Sequence, residues 1–276
     1  MATHSVHSTS DPAVALDVGG PFLLTQPEHN SIALSTLSER AAHSEEGRYW
    51  WACLGGEVVA FAMHSSKGFR AVVAPAEPPA VAALVDGMAE EGPDLPGVMG
   101  DAATAAAFAG RWAEVRIVPA RPVEALRLHR IHAVRHPEGV PGVLRLAVPA
   151  ERPVLLEWAA AFLRDTELDA LDPAQVVDRR MGAGRLWLWD VDGDPVSMAG
   201  LSAPAGGVAR VGFVYTSPEQ RRRGFAAACV AAVSERVLAE GAGCILHTQL
   251  HNPTSNGVYR RLGYVPVAEI LLYRFG

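Results

Sequence analysis

One stretch constrains this chain more than any other. Val211-Gly212-Phe213-Val214-Tyr215-Thr216-Ser217-Pro218 is followed by Glu219-Gln220-Arg221-Arg222-Arg223-Gly224-Phe225-Ala226-Ala227-Ala228. A short β-branched and aromatic run halts at a turn. Three arginines and a glycine come next, and an alanine-rich apolar segment then reaches to about Glu240. The order reads as strand, loop and helix, with a basic glycine loop at the helix start. The first N–H groups of a helix have no partner within it and carry a partial positive charge. A loop of little side-chain bulk lets a polyphosphate reach them, and arginines add charge and forked donors.

Composition narrows the field. The chain has 276 residues, 49% hydrophobic and 20% charged, which suits a packed protein of two ordinary domains or one large one. A net charge of −6 argues against a general nucleic-acid binder, whose affinity rests on a basic surface. Any anion site is therefore local, as the arginine run is. Cys53, Cys229 and Cys244 are odd in number and far apart, with neither metal-ligand spacing nor a disulfide framework, and a reducing cytoplasm is the simplest reading. Met1 to Asp11 is polar, unlike a secretory signal, and no apolar run reaches membrane-span length.

Residues 1–20, rich in Ser, Thr, His and Gly, are expected to form a mobile tail, with an early helix or strand docking from Ala13 on. A helix is expected over 27–44, with Pro27 in its first turn. Gly47 to Ala62 reads as a hairpin turning at Gly55-Gly56. A strand over 71–73, a helix over 80–90, a short strand over Leu95–Gly100 and a helix over Ala102–Trp112 follow. Val115–Val118 and Leu126–Ile131 read as further strands. The second half restarts the same grammar: an amphipathic helix Arg152–Asp165, a short helix capped by Asp172, and a hairpin from Gly184 to Ala199 with Asp190, Asp192 and Asp194 about its turn. The two hairpins superpose without a gap. Gly47, Arg48, Trp50, Gly56, Val59 and Ala62 recur as Gly184, Arg185, Trp187, Gly193, Val196 and Ala199, which reads as an internal repeat and two related domains. The halves differ after the hairpin: Phe69 to Pro79 holds no basic glycine loop.

After the alanine-rich helix, Gly241-Ala242-Gly243 is a stop signal and Cys244–Leu250 a strand. Then stands His251-Asn252-Pro253-Thr254-Ser255-Asn256-Gly257-Val258-Tyr259-Arg260-Arg261-Leu262-Gly263-Tyr264. Val265–Val267 and Ile270–Phe275 read as two final strands.

Two of these segments resemble a known family. Arg221 to Ala226 fits the Arg/Gln-x-x-Gly-x-Gly/Ala loop of the GCN5-related N-acetyltransferases (GNAT). Asn252, Tyr259 and Leu262-Gly263-Tyr264 are similar to its second signature, in the right order and one helix and one strand downstream. The likeness covers roughly residues 145–276; the first half joins it through the repeat and the element order. It implies an α+β fold of two tandem domains, each a mixed, mainly antiparallel sheet flanked by helices. Residues 21–140 would be a degenerate copy and 141–276 the catalytic domain.

The resemblance also implies a chemistry: transfer of an acetyl group from acetyl-CoA to a primary amine by direct attack, through a tetrahedral intermediate. In the family the strand before the loop splays from its neighbour, and its exposed backbone pairs with the pantetheine arm. By position this is Phe213, Val214, Tyr215 and Thr216, with the Val214 N–H as oxyanion donor. Arg221, Arg222, Arg223, Gly224, Phe225, Ala226 and Ala227 would hold the pyrophosphate. Tyr259 would be the general acid to the departing thiolate. Asn252 and Asn256 join the coenzyme set, Asn256 equally as a helix-start residue. No carboxylate lies on Arg210–Val214, so the base is left open between His247, the carboxylate of Gly276 and water. That gap keeps a second class in view, a non-catalytic acyl-CoA sensor. The acceptor, a small molecule or a peptide amine, and the choice between monomer and homodimer are not legible.

Overall fold

The structure, a computed structural model, describes residues 3–45, 47–65, 68–166 and 171–276. In chain order its elements are β1 (Ser5–Thr9), α1 (Pro12–Leu23), α2 (Ser31–His43), β2 (Arg48–Leu54), β3 (Glu57–His64), β4 (Ala71–Val73), α3 (Pro78–Glu91), β5 (Gly97–Asp101), α4 (Ala102–Arg116) and β6 (Ala120–Ile131). They continue as β7 (Val143–Leu146), α5 (Arg152–Asp165), α6 (Pro173–Gly182), β8 (Leu186–Val191), β9 (Asp194–Leu201), β10 (Val208–Thr216), α7 (Phe225–Ala239), β11 (Gly243–Gln249), α8 (Pro253–Leu262) and β12 (Val265–Phe275). The fold is α+β, with mixed, mainly antiparallel sheet flanked by helices.

The chain divides into two compact units. One comprises 1–128, 248–251 and 267–276; the other comprises 129–247 and 252–266. This differs from the single cut expected near residue 140, because the C-terminal strand pairs with β5 (Ile270↔Asp101 to Arg274↔Gly97) and so belongs with the first unit.

In the first unit β1 pairs antiparallel with β2, β2 with β3 and β3 with β4, while β4 runs parallel to β5. Helices α3 and α4 cover a core around Trp50, Val81, Leu84, Met88, Phe108 and Trp112. In the second unit β7, β8, β9 and β10 pair antiparallel in turn, and β10 runs parallel to β11. This sheet has two apolar faces. One packs on α7 through Ala209, Val211, Phe225, Cys229 and Val233; the other packs on α5 and α6 through Leu155, Trp158, Val177, Phe213 and Tyr215.

The repeat extends to register. Trp50 faces Ala62 as Trp187 faces Ala199, and both hairpins carry an irregularity at matching points, Ala52/Cys53 and Trp189/Asp190. Beyond the third strand the copies diverge. Ala74–Glu77 joins β4 directly to α3, whereas in the second unit the strand runs on to Thr216 and a loop precedes Phe225.

Several expectations are corrected. Within the expected tail, Met1 and Ala2 lie outside the described residues, but Ser5–Thr9 forms β1 against Tyr49–Cys53 and Asp11 caps α1 by accepting the Ala13 N–H at 2.8 Å. Ala15 and Leu23 of α1 are fully buried, so packing orders this segment. The helix expected from Pro27 starts at Ser31, after a turn in which Asn30 donates to the Leu23 carbonyl at 2.9 Å. Val115–Val118 is no strand: α4 runs through Arg116, because burial of Phe108 and Trp112 outweighs a β-branched tail, and it ends on Ile117 at φ 54°. The two final strands are one, since ladder pairing carries β12 through Ala268-Glu269.

Candidate active site

The glycine-loop region begins with an irregularity in β10. Val211 and Gly212 face Leu201 and Gly200, but the next pairs are Tyr215↔Met198 and Thr216↔Ser197. Phe213 and Val214 thus oppose the single residue Ala199, a two-against-one bulge that reverses which face each later side chain takes. Ala209 and Val211 lie on the α7 face; after the bulge Phe213 and Tyr215 turn to the α5/α6 face, and Val214 takes the α7 side. Phe213 has φ 55°, an uncommon conformation for a bulky residue, held because neighbours over-determine it. Phe162 meets its ring edge-on at 5.0 Å, and the Arg180 guanidinium lies over it at 5.0 Å. Beyond the bulge, the buried Ser197 hydroxyl donates to the Tyr215 carbonyl at 2.9 Å and bonds the Thr216 hydroxyl at 2.8 Å.

On its other edge β10 pairs with β11 only from Val208↔Gly243 to Val211↔Leu246, although both strands continue. The stretch Gly212–Thr216 therefore leaves its neighbour where the bulge starts, and its backbone on that side has no ladder partner. This is the splay that the resemblance implied.

The loop that follows turns through Arg222 at φ 63° and Gly224 at φ 84° into α7. A β-carbon on Gly224 would stand 2.8 Å from Val140 Cγ2, so both conformation and space require glycine here. No side chain caps α7. The Ala228 N–H is the first to bond within the helix, to the Gly224 carbonyl at 3.0 Å, which leaves those of Phe225, Ala226 and Ala227 free of intrahelical bonds. Arg221 folds back: its Nε donates to the Thr216 carbonyl at 3.1 Å and its guanidinium lies 5.5 Å over Tyr215. Arg223 bonds Gln220 at 2.6 Å and covers the Phe225 ring at 4.8 Å. All three arginines are exposed, so the loop is a cationic surface around unsatisfied helix donors.

Tyr259 lies on α8 and packs against the same core as Val214 and Ala227. Val214, Ala227 and Tyr259 thus border the core cluster that holds Phe225, while the Phe213 and Tyr215 side chains go to the opposite face. Burial, and secondarily the Cys229 thiol nearby, push the Tyr259 hydroxyl up to about 12. Its ring meets Tyr264 edge-on at 5.9 Å. Gly263 ends α8 at φ 106°, and a β-carbon there would stand 2.5 Å from the Ala133 carbonyl oxygen, so glycine in the Leu-Gly-Tyr corner is obligatory for two reasons. Asn252 is the cap of α8: its Oδ1 accepts the Ser255 N–H at 3.0 Å. Asn256 lies in the first turn of α8, its Nδ2 donating to the Asn252 carbonyl at 2.7 Å. His247 is half-buried on β11. Gly276 belongs to the first unit, where its N–H donates to the Pro119 carbonyl at 3.1 Å. Cys229 and Cys244 are buried, and burial pushes both thiols up, which makes them poor nucleophiles.

Sequence reasoning missed one feature beside these. A pocket of about 350 Å³ opens between Ala227 and Val258, with Arg135, His136 and Arg261 on its walls. Its only signal in the sequence is a scatter of basic residues in separate segments. Among the described residues no group of three or more His, Cys, Asp or Glu could hold a metal ion, and no helix is long and apolar enough to cross a membrane.

Known proteins share this fold. Residues 152–264 match the model of the acetyltransferase (GNAT) family. A GNAT-family acetyltransferase from Colwellia psychrerythraea superposes with TM-score 0.64 at 10% identity, covering 99% of this chain and 100% of that one. A tandem GNAT protein from the clavulanic acid biosynthesis pathway gives 0.60 at 14% over 99% and 98%. A GCN5-related N-acetyltransferase from Sphaerobacter thermophilus gives 0.56 at 18% over 98% and 95%. At these identities the likeness is one of fold. No curated protein matches the sequence. Residues 152–264 are thus similar to the acetyltransferase (GNAT) family, and the full length of the chain has the fold of that family's solved proteins.

Proposed function

We propose that the second unit binds acetyl-CoA and passes its acetyl group to a primary amine. The observation that carries this is the opening of β10 away from β11 at the Phe213–Val214 bulge, directly upstream of an uncapped helix with a basic glycine loop. The residues fit the coenzyme. Its pyrophosphate matches the free N–H groups of Phe225–Ala227, the close approach at Gly224 and the charge of Arg221–Arg223. An extended amide-bearing arm matches the edge of Gly212–Thr216 that has no ladder partner on the β11 side, as an added strand would.

The coenzyme supplies an acetyl group activated as a thioester. The Val214 N–H, fixed by the bulge, is the donor to the carbonyl oxygen as it gains charge. The Tyr259 hydroxyl keeps its proton across the working pH range and donates it toward the departing sulfur. Between Val208 and Thr216 the strand has no carboxylate, so within this unit His247 and solvent are the routes for the ammonium proton.

The first unit is read as the copy without a coenzyme site. All three residues of β4 pair with β5, so no splay exists there. Pro78 and Pro79 open α3 without N–H groups, and Glu77 precedes them. Both features repel or fail a phosphate.

The test is amine-dependent thiol release from acetyl-CoA across a panel of small amines and peptides. Tyr259→Phe is expected to abolish most release while coenzyme binding persists. Binding without release from any amine would favour the acyl-CoA sensor, and absence of binding would refute both.

A further inference from the structure

The two ends of α8 are held by different means. At its C-terminal end Leu262 is buried, the Arg135 N–H donates to the Leu262 carbonyl at 2.9 Å, and the Tyr264 hydroxyl bonds Ser234 at 2.7 Å. Leu262 is the only buried residue of this ten-residue helix, so apolar packing does little for the first turn.

Polar contacts hold that turn instead. His129, at the end of β6, is 4% exposed, and its Nε2 lies 3.3 Å from Oδ1 of Asn256. Asn256 in turn donates from Nδ2 to the Asn252 carbonyl at 2.7 Å, and Asn252 caps the helix through Ser255. Because the Asn256 amide nitrogen is committed to a carbonyl, its oxygen faces the imidazole, and His129 must donate from Nε2. Asn256 and Tyr259 stand three residues apart, on one side of the helix.

We propose that His129 is a positioning residue: through Asn256 and Asn252 it fixes the first turn of α8 and hence the placement of the Tyr259 hydroxyl. Its consequence for turnover rests on the function proposed above; the placement itself does not. Without this anchor the helix can pivot about its docked end at Leu262 and Gly263, which carries the first turn away and tilts the Tyr259 ring one turn before the pivot. Displacement of a reacting group by about 1 Å can cost as much as 100-fold in rate.

The experiment labels the full chain with 3-fluorotyrosine. The five tyrosines give ¹⁹F resonances, and Tyr259→Phe identifies the one from residue 259. Three variants are compared: His129→Phe, which fills the space without a donor; His129→Gln, which restores a donor; and Val85→Ala, a core change on α3 that lowers stability in the other unit's core. The residue-259 resonance is expected to shift or broaden in His129→Phe, to return toward its wild-type position in His129→Gln, and to stay put in Val85→Ala. In parallel, thiol release from acetyl-CoA with water as acceptor should fall about tenfold or more in His129→Phe, with coenzyme affinity within about twofold. An unmoved resonance in His129→Phe, or an equal change in Val85→Ala, overturns the proposal. If His129→Phe does not fold, Asn256→Asp replaces it: it keeps the acceptor for His129 and loses the donor to Asn252, and an unmoved resonance there overturns it equally. A wild-type protein that binds no acetyl-CoA would sink the functional reading alone, because the resonance is read without coenzyme.

Discussion

Replacing Gly224 by alanine separates strain from binding when it is paired with the same change at Gly241. Both glycines are left-handed, at φ 84° and 78°. One opens α7 and the other follows it. An alanine held at such angles costs about 1–2 kcal/mol, so both variants should lose roughly that much stability in urea. Gly241 has nothing within 4 Å of the new methyl, whereas at Gly224 it would stand 2.8 Å from Val140 Cγ2. Val140 can give by rotating, or the loop can relax toward negative φ. Relaxation turns the N–H groups of Phe225 and Ala226 away from the cradle. Losing one hydrogen bond to a charged group is worth about 1.5–3 kcal/mol, or about 10- to 100-fold in Kd. Isothermal titration with acetyl-CoA should therefore show weakening of at least about tenfold in Gly224→Ala and none in Gly241→Ala. Equal Kd values in the two variants, with equal stability losses, would refute the claim that this turn shapes the anion site.

Other expectations follow from the same geometry. Tyr259→Phe should lower amine-dependent thiol release about 100-fold or more while the acetyl-CoA Kd, measured by the same titration, stays put. Tyr259 titrates higher folded than unfolded, near 12 against 10, so its contribution to stability is complete below pH 10 and drains away between 10 and 12; urea midpoints followed across that window should fall less steeply in the Phe variant. Ile117, 90% exposed and left-handed at the end of α4, is a β-branched residue in a conformation that favours glycine or asparagine, so Ile117→Asn should raise stability by about 1 kcal/mol. Arg145 bonds both Glu151 at 2.5 Å and Asp190 at 2.8 Å, carboxylates largely shielded from water. Arg145→Ala should cost about 2 kcal/mol, less than the 3–5 of a fully buried pair because the arginine is partly exposed; chemical denaturation reads it directly.

The parts of the molecule legible in the sequence are those governed by local rules. Alternation and a Gly-Gly or Asp-Gly turn located both hairpins, and even their shared register could be aligned from Trp50 and Trp187. Asp172 marked a helix start because a capping side chain acts on its own neighbours. The glycine loop and the Tyr259 helix were legible because few residue types meet their backbone demands, as Gly224 and Gly263 now show with positive φ and no room for a β-carbon. What was missed depends on partners distant in sequence. Strand β1 needed β2 some forty residues on, and β12 needed β5; neither partner can be inferred from Ser5–Thr9 or Ala268-Glu269 themselves. The bulge that redirects Phe213 and Val214 leaves only Gly212 as a trace, because a two-against-one pairing is defined by the opposing Ala199. Nothing in the sequence around His129 points to Asn256, and only the fold sets the two together.

On the function proposed above, the chain has one coenzyme cradle, formed by the splayed β10 and the uncapped start of α7. The most direct measurement is the stoichiometry of acetyl-CoA binding to the intact chain by calorimetry, repeated on a variant with Arg222→Glu and Arg223→Glu. One coenzyme per chain and loss of measurable binding in the variant are expected. Two coenzymes per chain, or binding that survives the charge reversal, would contradict that reading.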